Sequence, residues 1–160
     1  MSHESNQLEE NQVLAEVWRW FFDSYLPRWV TAGERGEDAS FITDYWGAPL
    51  WVSIDDIPPV IATTKAEVVE ILRPIHTRLR SAGYSHTAVP DRRAIAFNSN
   101  SAQISVIWSR RRSDESEIER CAVNFNLMRL EEGWRIVHIQ QKTTTAPDLT
   151  AMWLTHQKLA

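Results

Sequence analysis

The 160-residue chain has a single cysteine, Cys121, and only five glycines. One cysteine cannot form an internal disulfide, which fits a reducing compartment. The glycines form no nucleotide-binding loop, and no Gly-x-Ser-x-Gly sequence marks a hydrolase nucleophile. The five histidines include no close pair, so the sequence predicts neither a metal site nor a cofactor.

The chain also lacks an excess of positive charge and long apolar runs. The formal net charge of −4 argues against binding to a phosphate backbone, so nucleic acid is not expected as a partner. No stretch approaches the roughly 18 apolar residues of a membrane span. Residues 1–18 contain glutamates but no Lys or Arg, unlike a secretory signal. We therefore predict a cytoplasmic protein that does not bind membranes.

The length fits one domain with a short appendage at each end. Residues 1–8 are polar and without periodicity, and we expect a disordered leader there. Residues 9–146 should form the domain, and residues 147–160 a helical tail that belongs to it. The tail begins with a plausible helix start at 145–148, followed by the apolar residues Leu149, Met152 and Trp153.

Two helices are predicted from apolar spacing. Apolar pairs recur every four residues from Val13 to Val30, which indicates one long helix that kinks or restarts at Pro27. A second helix opens at Thr64, where the Thr-x-x-Glu pattern with Glu67 predicts a capping box, and it ends at Gly83.

From residue 84 onward the pattern changes to the alternation typical of strands. Short extended segments are expected at 84–89 and 93–98, and strands at 101–111, 117–130 and 134–145. The polar turns at 113–116 and 131–133 predict an antiparallel meander of the last three strands.

Alternation divides this meander into two faces. The apolar face, which must meet the helices, contains Ala102, Ile104, Val106, Trp108, Cys121, Val123, Phe125, Leu127, Val137 and Ile139. The more polar face contains Gln103, Ser105, Ile107, Asn124, Asn126, Met128, Leu130, Trp134, Ile136, His138 and Gln140. Across the last turn we expect the pairs Leu130–Trp134, Met128–Ile136, Asn126–His138 and Asn124–Gln140.

Residues 10–145 resemble the nuclear transport factor 2-like superfamily. The resemblance rests on the aromatic first helix, the bend Tyr-Trp-Gly-Ala-Pro at 45–49, the second helix, and the final hairpin with Gly-Trp-Arg-Ile at 133–136. It implies an α+β fold: a cone-shaped barrel of a strongly bent antiparallel sheet wrapped around the N-terminal helices, with a short C-terminal helix. It also implies an apolar pocket and a homodimer, here through the polar sheet face with Asn124, Asn126, His138 and Gln140.

The enzymes of this superfamily include ketosteroid isomerases and SnoaL-like polyketide cyclases. Isomerases carry a catalytic Asp immediately before the Pro of the aromatic bend, whereas this chain has Ala48 there, so that mechanism does not carry over in the same form. The candidate catalytic residues that remain are Asp44, Tyr25 and His76. Tyr25 lies on the inward stripe of the first helix, where isomerases have an oxyanion-stabilising Tyr.

Eight tryptophans in one small chain suggest aromatic walls around a flat ligand. The candidate ligand-binding residues are Tyr45, Trp46, Trp51, Trp108, Phe125 and Trp153. The same rings could instead simply fill the cone. The run 110–112 of three arginines faces acidic residues across a turn, and we expect a solvated, internally neutralised hairpin tip. The alternative is a basic patch that recruits a ligand.

Three functions fit these observations. The first is a small-molecule-binding protein with an apolar, aromatic pocket that takes an apolar or aromatic compound. The second is an enzyme of the cyclase, isomerase or dehydratase type acting on a polycyclic or enolisable substrate. The third is a homodimeric protein-interaction module.

Overall fold

The computed structural model describes the backbone of residues 3–153 and the side chains of residues 6–152. The elements in chain order are α1 (His3–Arg19), a π-helical turn (Trp20–Tyr25), α2 (Leu26–Arg35), a 3₁₀ turn (Ala39–Asp44), β1 (Trp46–Ile54), β2 (Val60–Ala62), α3 (Lys65–Ser81), β3 (Tyr84–Asn98), β4 (Ser101–Arg112), β5 (Glu117–Leu130), β6 (Gly133–Thr143) and α4 (Leu149–Trp153). Helix α1 includes residues 3–8, which the sequence assigned to a leader. Within the described part of the chain, no helix is long and apolar enough to cross a membrane.

The predicted first helix consists of α1, the π-helical turn and α2 in direct succession. One stripe of its buried residues keeps a spacing of four: Val13, Val17, Phe21, Tyr25 and Trp29. In a regular α-helix each four-residue step moves about 40° around the axis, so this stripe would wind away from the core. The π-helical turn has hydrogen bonds that span five residues, so it holds more residues per turn and brings the stripe back.

Pro27 is accommodated by this same turn. The amide of Leu26 donates to the carbonyl of Phe21, five residues earlier, and the next residue is Pro27, which has no amide to donate. The interruption expected near Pro27 is thus a π-helical turn that ends one residue before α2 begins.

The predicted capping box of α3 is confirmed. The Thr64 hydroxyl accepts from the Glu67 amide at 3.2 Å, and the Glu67 carboxylate accepts from the Thr64 amide at 3.1 Å. Gly83 follows the helix with a φ of 87°, a left-handed conformation that favours glycine. This stop turns the chain directly into β3.

Six strands form one sheet in the order β2-β1-β6-β5-β4-β3. The antiparallel meander is confirmed, but β1 pairs with β6 in parallel, so the sheet is mixed. Two strands joined by a short hairpin must run antiparallel. Because β1 and β6 are far apart in the chain, they are free to pair in parallel. The segments expected at 84–89 and 93–98 are a single strand, β3, whose pairing is irregular between Ala88 and Asp91, around Pro90.

The apolar inner face of the meander is confirmed over β4 and β5. Its cross-strand pairs are Ala102–Leu127, Ile104–Phe125, Val106–Val123 and Trp108–Cys121, and all eight residues are buried. They pack against the N-terminal helices in the main hydrophobic core.

The expected register of the last hairpin is right at one end and wrong at the other. Asn126 pairs with His138 as predicted, but Leu127 pairs with Ile136, which leaves Val137 as an extra residue on β6. Such a bulge moves the β6 residues between it and the turn to the face opposite to the one predicted. Trp134 and Ile136 are therefore buried on the inner side, and the pairs Leu130–Trp134 and Met128–Ile136 do not form.

Helix α4 covers part of the outer face. Leu149 packs on Ile107 and Ala122, and its amide donates to the carboxylate of Asp91 at 2.8 Å. The predicted helical tail is thus present over Leu149–Trp153, while residues 154–160 lie outside the described part of the chain.

The bulge at Val137 can be tested through the stability of two variants. We expect Trp134→Ala to lower the free energy of unfolding by about 3 to 5 kcal/mol, as for a large buried aromatic residue. Met128→Ala should cost less than about 1 kcal/mol, because Met128 is 46% exposed. Urea unfolding of both variants measures this. Similar small effects at both positions would indicate that the hairpin pairs without the bulge.

Candidate functional site

A cavity lies between the inner face of the sheet and the helices. Its buried walls are mainly aromatic: Tyr25, Trp29, Trp46, Trp108 and Phe125. Half-buried aliphatic residues also contact the space: Leu26 from α2, Ile54 from β1, and Ile71 and Ile75 from α3. Because these four side chains are partly exposed, they mark the mouth of the cavity.

The cavity is narrow. The space open to the centre of a water molecule is about 30 Å³, and one water needs roughly 10 to 15 Å³ by the same measure. The aromatic rings therefore fill most of the cone. A one-ring compound can enter only if side chains at the mouth move aside.

Tyr25 contributes a polar group to the cavity. Its hydroxyl accepts a hydrogen bond from Trp46 Nε1 at 3.1 Å, which leaves the hydroxyl hydrogen available to a ligand. Burial raises the pKa of Tyr25 above its ordinary value, and the Trp46 hydrogen bond and Arg110 oppose this only in part. The hydroxyl thus keeps its proton at neutral pH and acts as a donor.

Arg110 brings a positive charge to the cavity wall and is 6% exposed. Its Nη1 donates to Oε1 of Glu119, and the guanidinium carbon lies 4.9 Å from the centroid of the Trp29 ring. Arg78 holds the same carboxylate with two hydrogen bonds of 3.0 and 3.2 Å. Nε of Arg110 is buried and has no hydrogen-bond partner among the residues whose side chains are described.

The prediction of a solvated hairpin tip at 110–112 is wrong for Arg110. Arg111 does pair with Glu115 at 3.5 Å, and Arg112 donates to the Ala82 carbonyl at 2.7 Å. Arg110 is buried because it continues the inward alternation of β4 two residues after Trp108. That alternation was visible in the sequence and identifies this arginine.

The predicted ligand-binding residues have different locations. Trp46, Trp108 and Phe125 line the cavity. Tyr45 lies beside it, with its ring 5.4 Å from that of Tyr25 and its hydroxyl 2.9 Å from Ser24 Oγ. Trp51 is on the outer sheet face, 51% exposed, and the side chain of Trp153 lies outside the described residues.

Two of the predicted catalytic residues are outside the cavity lining. Asp44 is exposed at the end of the 3₁₀ turn. His76 is buried behind Trp29, with the two rings 4.4 Å apart and nearly perpendicular. Within residues 6–152, both ring nitrogens of His76 lack a hydrogen-bond partner. Burial, with smaller contributions from Arg110 and Arg80, lowers the pKa of His76 to about 4, so it is neutral at pH 7.

The polar residues predicted for the dimer surface do share the outer face. Asn126 Nδ2 lies 3.5 Å from His138 Nδ1, and Asn124 accepts from Ser105 Oγ at 2.7 Å. Gln140 is exposed beside them. Among residues 6–152, no three His, Cys, Asp or Glu side chains are arranged to hold a metal ion.

A bent sheet closed over an N-terminal helix, with a pocket between them, defines the nuclear transport factor 2-like class. Residues 15–144 match the family described as NTF2-like protein (DUF6841), and the chain belongs to that family. The resemblance to the superfamily and the α+β cone fold are thereby confirmed. No protein of curated function matches the chain significantly.

Solved structures agree on the fold at low sequence identity. An NTF2-like protein with a cystatin-like fold from Novosphingobium aromaticivorans has a TM-score of 0.61 and 16% identity, over 90% of this chain and 96% of that one. An NTF2-like protein of unknown function from Pseudomonas putida has a TM-score of 0.60 and 11% identity, over 91% of each chain. Aln2 from a Streptomyces species has a TM-score of 0.60 and 10% identity, over 80% of this chain and 91% of that one.

His76 makes stability depend on pH. Its pKa is about 4 in the folded protein against an ordinary value of 6.5, so the unfolded chain binds the proton more readily. The contribution of neutral His76 to the free energy of unfolding is therefore present above pH 6.5 and is lost as the pH falls toward 4. Between pH 6.5 and 5, we expect the wild type to lose about 1 to 2 kcal/mol more than His76→Leu. Parallel unfolding curves for the two proteins would contradict this.

Proposed function

We propose that this is a cytoplasmic small-molecule-binding protein whose pocket takes a flat, mainly apolar compound. The observation that carries the proposal is the combination of aromatic walls with unused hydrogen-bond donors of Tyr25 and Arg110. Pockets that bind small molecules are mainly apolar and have a few polar groups that fix the orientation of the ligand. A core built only for stability leaves few buried donors without partners.

Binding is favoured over proton-transfer catalysis by the protonation states around the cavity. Tyr25 holds its proton because burial raises its pKa. Arg110 stays charged: burial by itself would lower its pKa, but the Glu119 carboxylate, joined at high pH by the Cys121 thiolate, raises it. Both groups donate hydrogen bonds, and neither accepts a proton at pH 7. The best candidate bases lie elsewhere, since Asp44 is exposed and His76 is behind Trp29.

An enzyme of the cyclase, isomerase or dehydratase type is the second candidate. The Tyr25 hydroxyl and the Arg110 guanidinium could polarise a substrate carbonyl, as oxyanion-stabilising donors do. The reaction would then need a base supplied by the substrate or by water. Consumption of a bound compound, lost in Tyr25→Phe, would support this candidate.

Thermal shift against a panel of one- and two-ring aromatic compounds, with steroids included, tests binding. A ligand at 100 times its dissociation constant adds about 2.7 kcal/mol, hence roughly 5 to 10 °C for a chain of this size. Ile75→Phe adds a ring at the mouth and should abolish the shift while the protein stays folded. Ile57→Phe, at an isoleucine 50% exposed in the turn after β1, is the control. An unchanged shift in Ile75→Phe would mean that ligands bind elsewhere.

The outer sheet face supports a homodimer. Paired residues form one row across all six strands, the outer row: Ile61, Trp51, His138, Asn126, Gln103 and Ile95. Its ends are apolar and about half exposed, and its middle is polar. In a dimer with its two-fold axis through the middle of the row, the polar residues of one copy would face those of the second copy. Each apolar end of the row would then pack against the opposite apolar end of the second copy.

We expect sedimentation at micromolar concentration to give twice the chain mass of 18.5 kDa. Trp51→Glu should reduce it to the monomer, because two carboxylates would be buried in the interface without partners. Leu8→Glu alters an apolar residue on α1 that is 64% exposed and should leave the dimer intact. A wild-type mass near that of one chain would contradict the homodimer.

A further inference from the structure

We infer that the ligand of this pocket is an aromatic monocarboxylate, held through its carboxylate by the Nε and Nη2 atoms of Arg110. This inference rests on the proposed function and adds the chemical class of the ligand. It depends on which donors of Arg110 are used, on the charge around it, and on the aromatic walls.

The free donors of Arg110 lie on one edge of its guanidinium. Nη1 is occupied by Glu119. Nε is buried without a partner, and Nη2 makes no hydrogen bond within residues 6–152. Nε and Nη2 point the same way in the planar group, so together they can donate two parallel hydrogen bonds to one carboxylate. A phosphate would fill this edge too, but its further oxygens would then lie against apolar walls.

The charge of Arg110 is only partly neutralised. Arg78 and Arg110 share the single carboxylate of Glu119, so two positive charges and one negative charge leave +1. Arg78 is 54% exposed at its side chain and can be screened by water, whereas the Arg110 side chain is 7% exposed. A buried cation is stabilised most by an anion that arrives with matching geometry.

Other titratable groups that act on Arg110 are neutral at pH 7. Burial raises the pKa of the Cys121 thiol to about 11 and that of Tyr84 to about 12. Burial likewise raises the pKa of Tyr25, while it lowers that of His76 to about 4. None of these four side chains carries a negative charge that could balance the remaining positive charge of Arg110. A negatively charged ligand would balance it.

The rest of the cavity fits a ring attached to the carboxylate. Trp29 lies against the guanidinium, and Trp46, Trp108 and Phe125 form the adjoining buried walls. The Tyr25 hydroxyl can give a third hydrogen bond to the carboxylate or to an oxygen beside it on the ring. Aromatic walls favour a flat ring over an aliphatic chain.

Isothermal titration calorimetry with benzoate and 2-naphthoate, against benzamide and 2-naphthamide, tests the inference. Each amide has the shape of its acid but lacks the charge. We expect at least one acid to bind roughly 10- to 100-fold more tightly than its amide, as hydrogen bonds to charged groups imply. Arg110→Met should remove this preference. Arg111→Met changes the neighbouring arginine, which is paired with Glu115, and should keep it.

The outcomes separate the two proposals. Equal affinity for acids and amides, or a preference that persists in Arg110→Met, overturns the carboxylate inference but leaves the binding pocket. Tighter binding of phenylphosphonate than of benzoate also overturns it. No binding by these compounds or by the aromatic panel overturns both. If Arg110→Met does not fold, Arg110→Lys keeps the charge but lacks the paired donors, and the acid should bind roughly tenfold more weakly to it.

Discussion

The fold depends on covering the apolar inner face of the sheet with one helical segment. A sheet face of this size can be buried only if the segment directs apolar residues toward it along its whole length. A regular α-helix with apolar residues four apart would turn its stripe away, and the π-helical turn corrects this. Because Tyr25 lies at the end of that turn and Trp29 one step later, the same correction sets the position of the cavity walls.

Arg110 is a charged residue in a position that the strand pattern assigns to the core. Removing a guanidinium from water is unfavourable unless it is paired and hydrogen-bonded. Glu119 supplies the pair, Arg78 keeps that carboxylate in place, and the Trp29 ring contacts the cation. One edge of the guanidinium has no partner among residues 6–152, so the protein's own side chains satisfy this group only in part. A binding site is the physical setting in which such a group is tolerated.

Some residues of the candidate site could be predicted from the sequence and others could not. The inward alternation of β4 and β5 identifies Trp108 and Phe125. Continued by two residues it also identifies Arg110, although a run of three arginines is typical of an exposed turn. Tyr25 and Trp46 followed from the helix stripe and the aromatic bend. The location of Trp51 on the outer sheet face was not predictable, because the bend around residues 45–49 does not show which way β1 faces. His76 was a candidate catalytic residue, but only packing decides that Trp29 lies between it and the cavity.

By itself, the sequence determined the elements whose causes are local. Apolar spacing, the capping box at Thr64, the stop at Gly83 and the alternation of the meander each depend on neighbouring residues along the chain, so they could be derived from it. Only the tertiary structure decided the parallel pairing of β1 with β6, the bulge at Val137 and the burial of Arg110 beside Glu119 and Arg78. These features depend on contacts between distant segments, whose relative placement is set by the packing of the whole core.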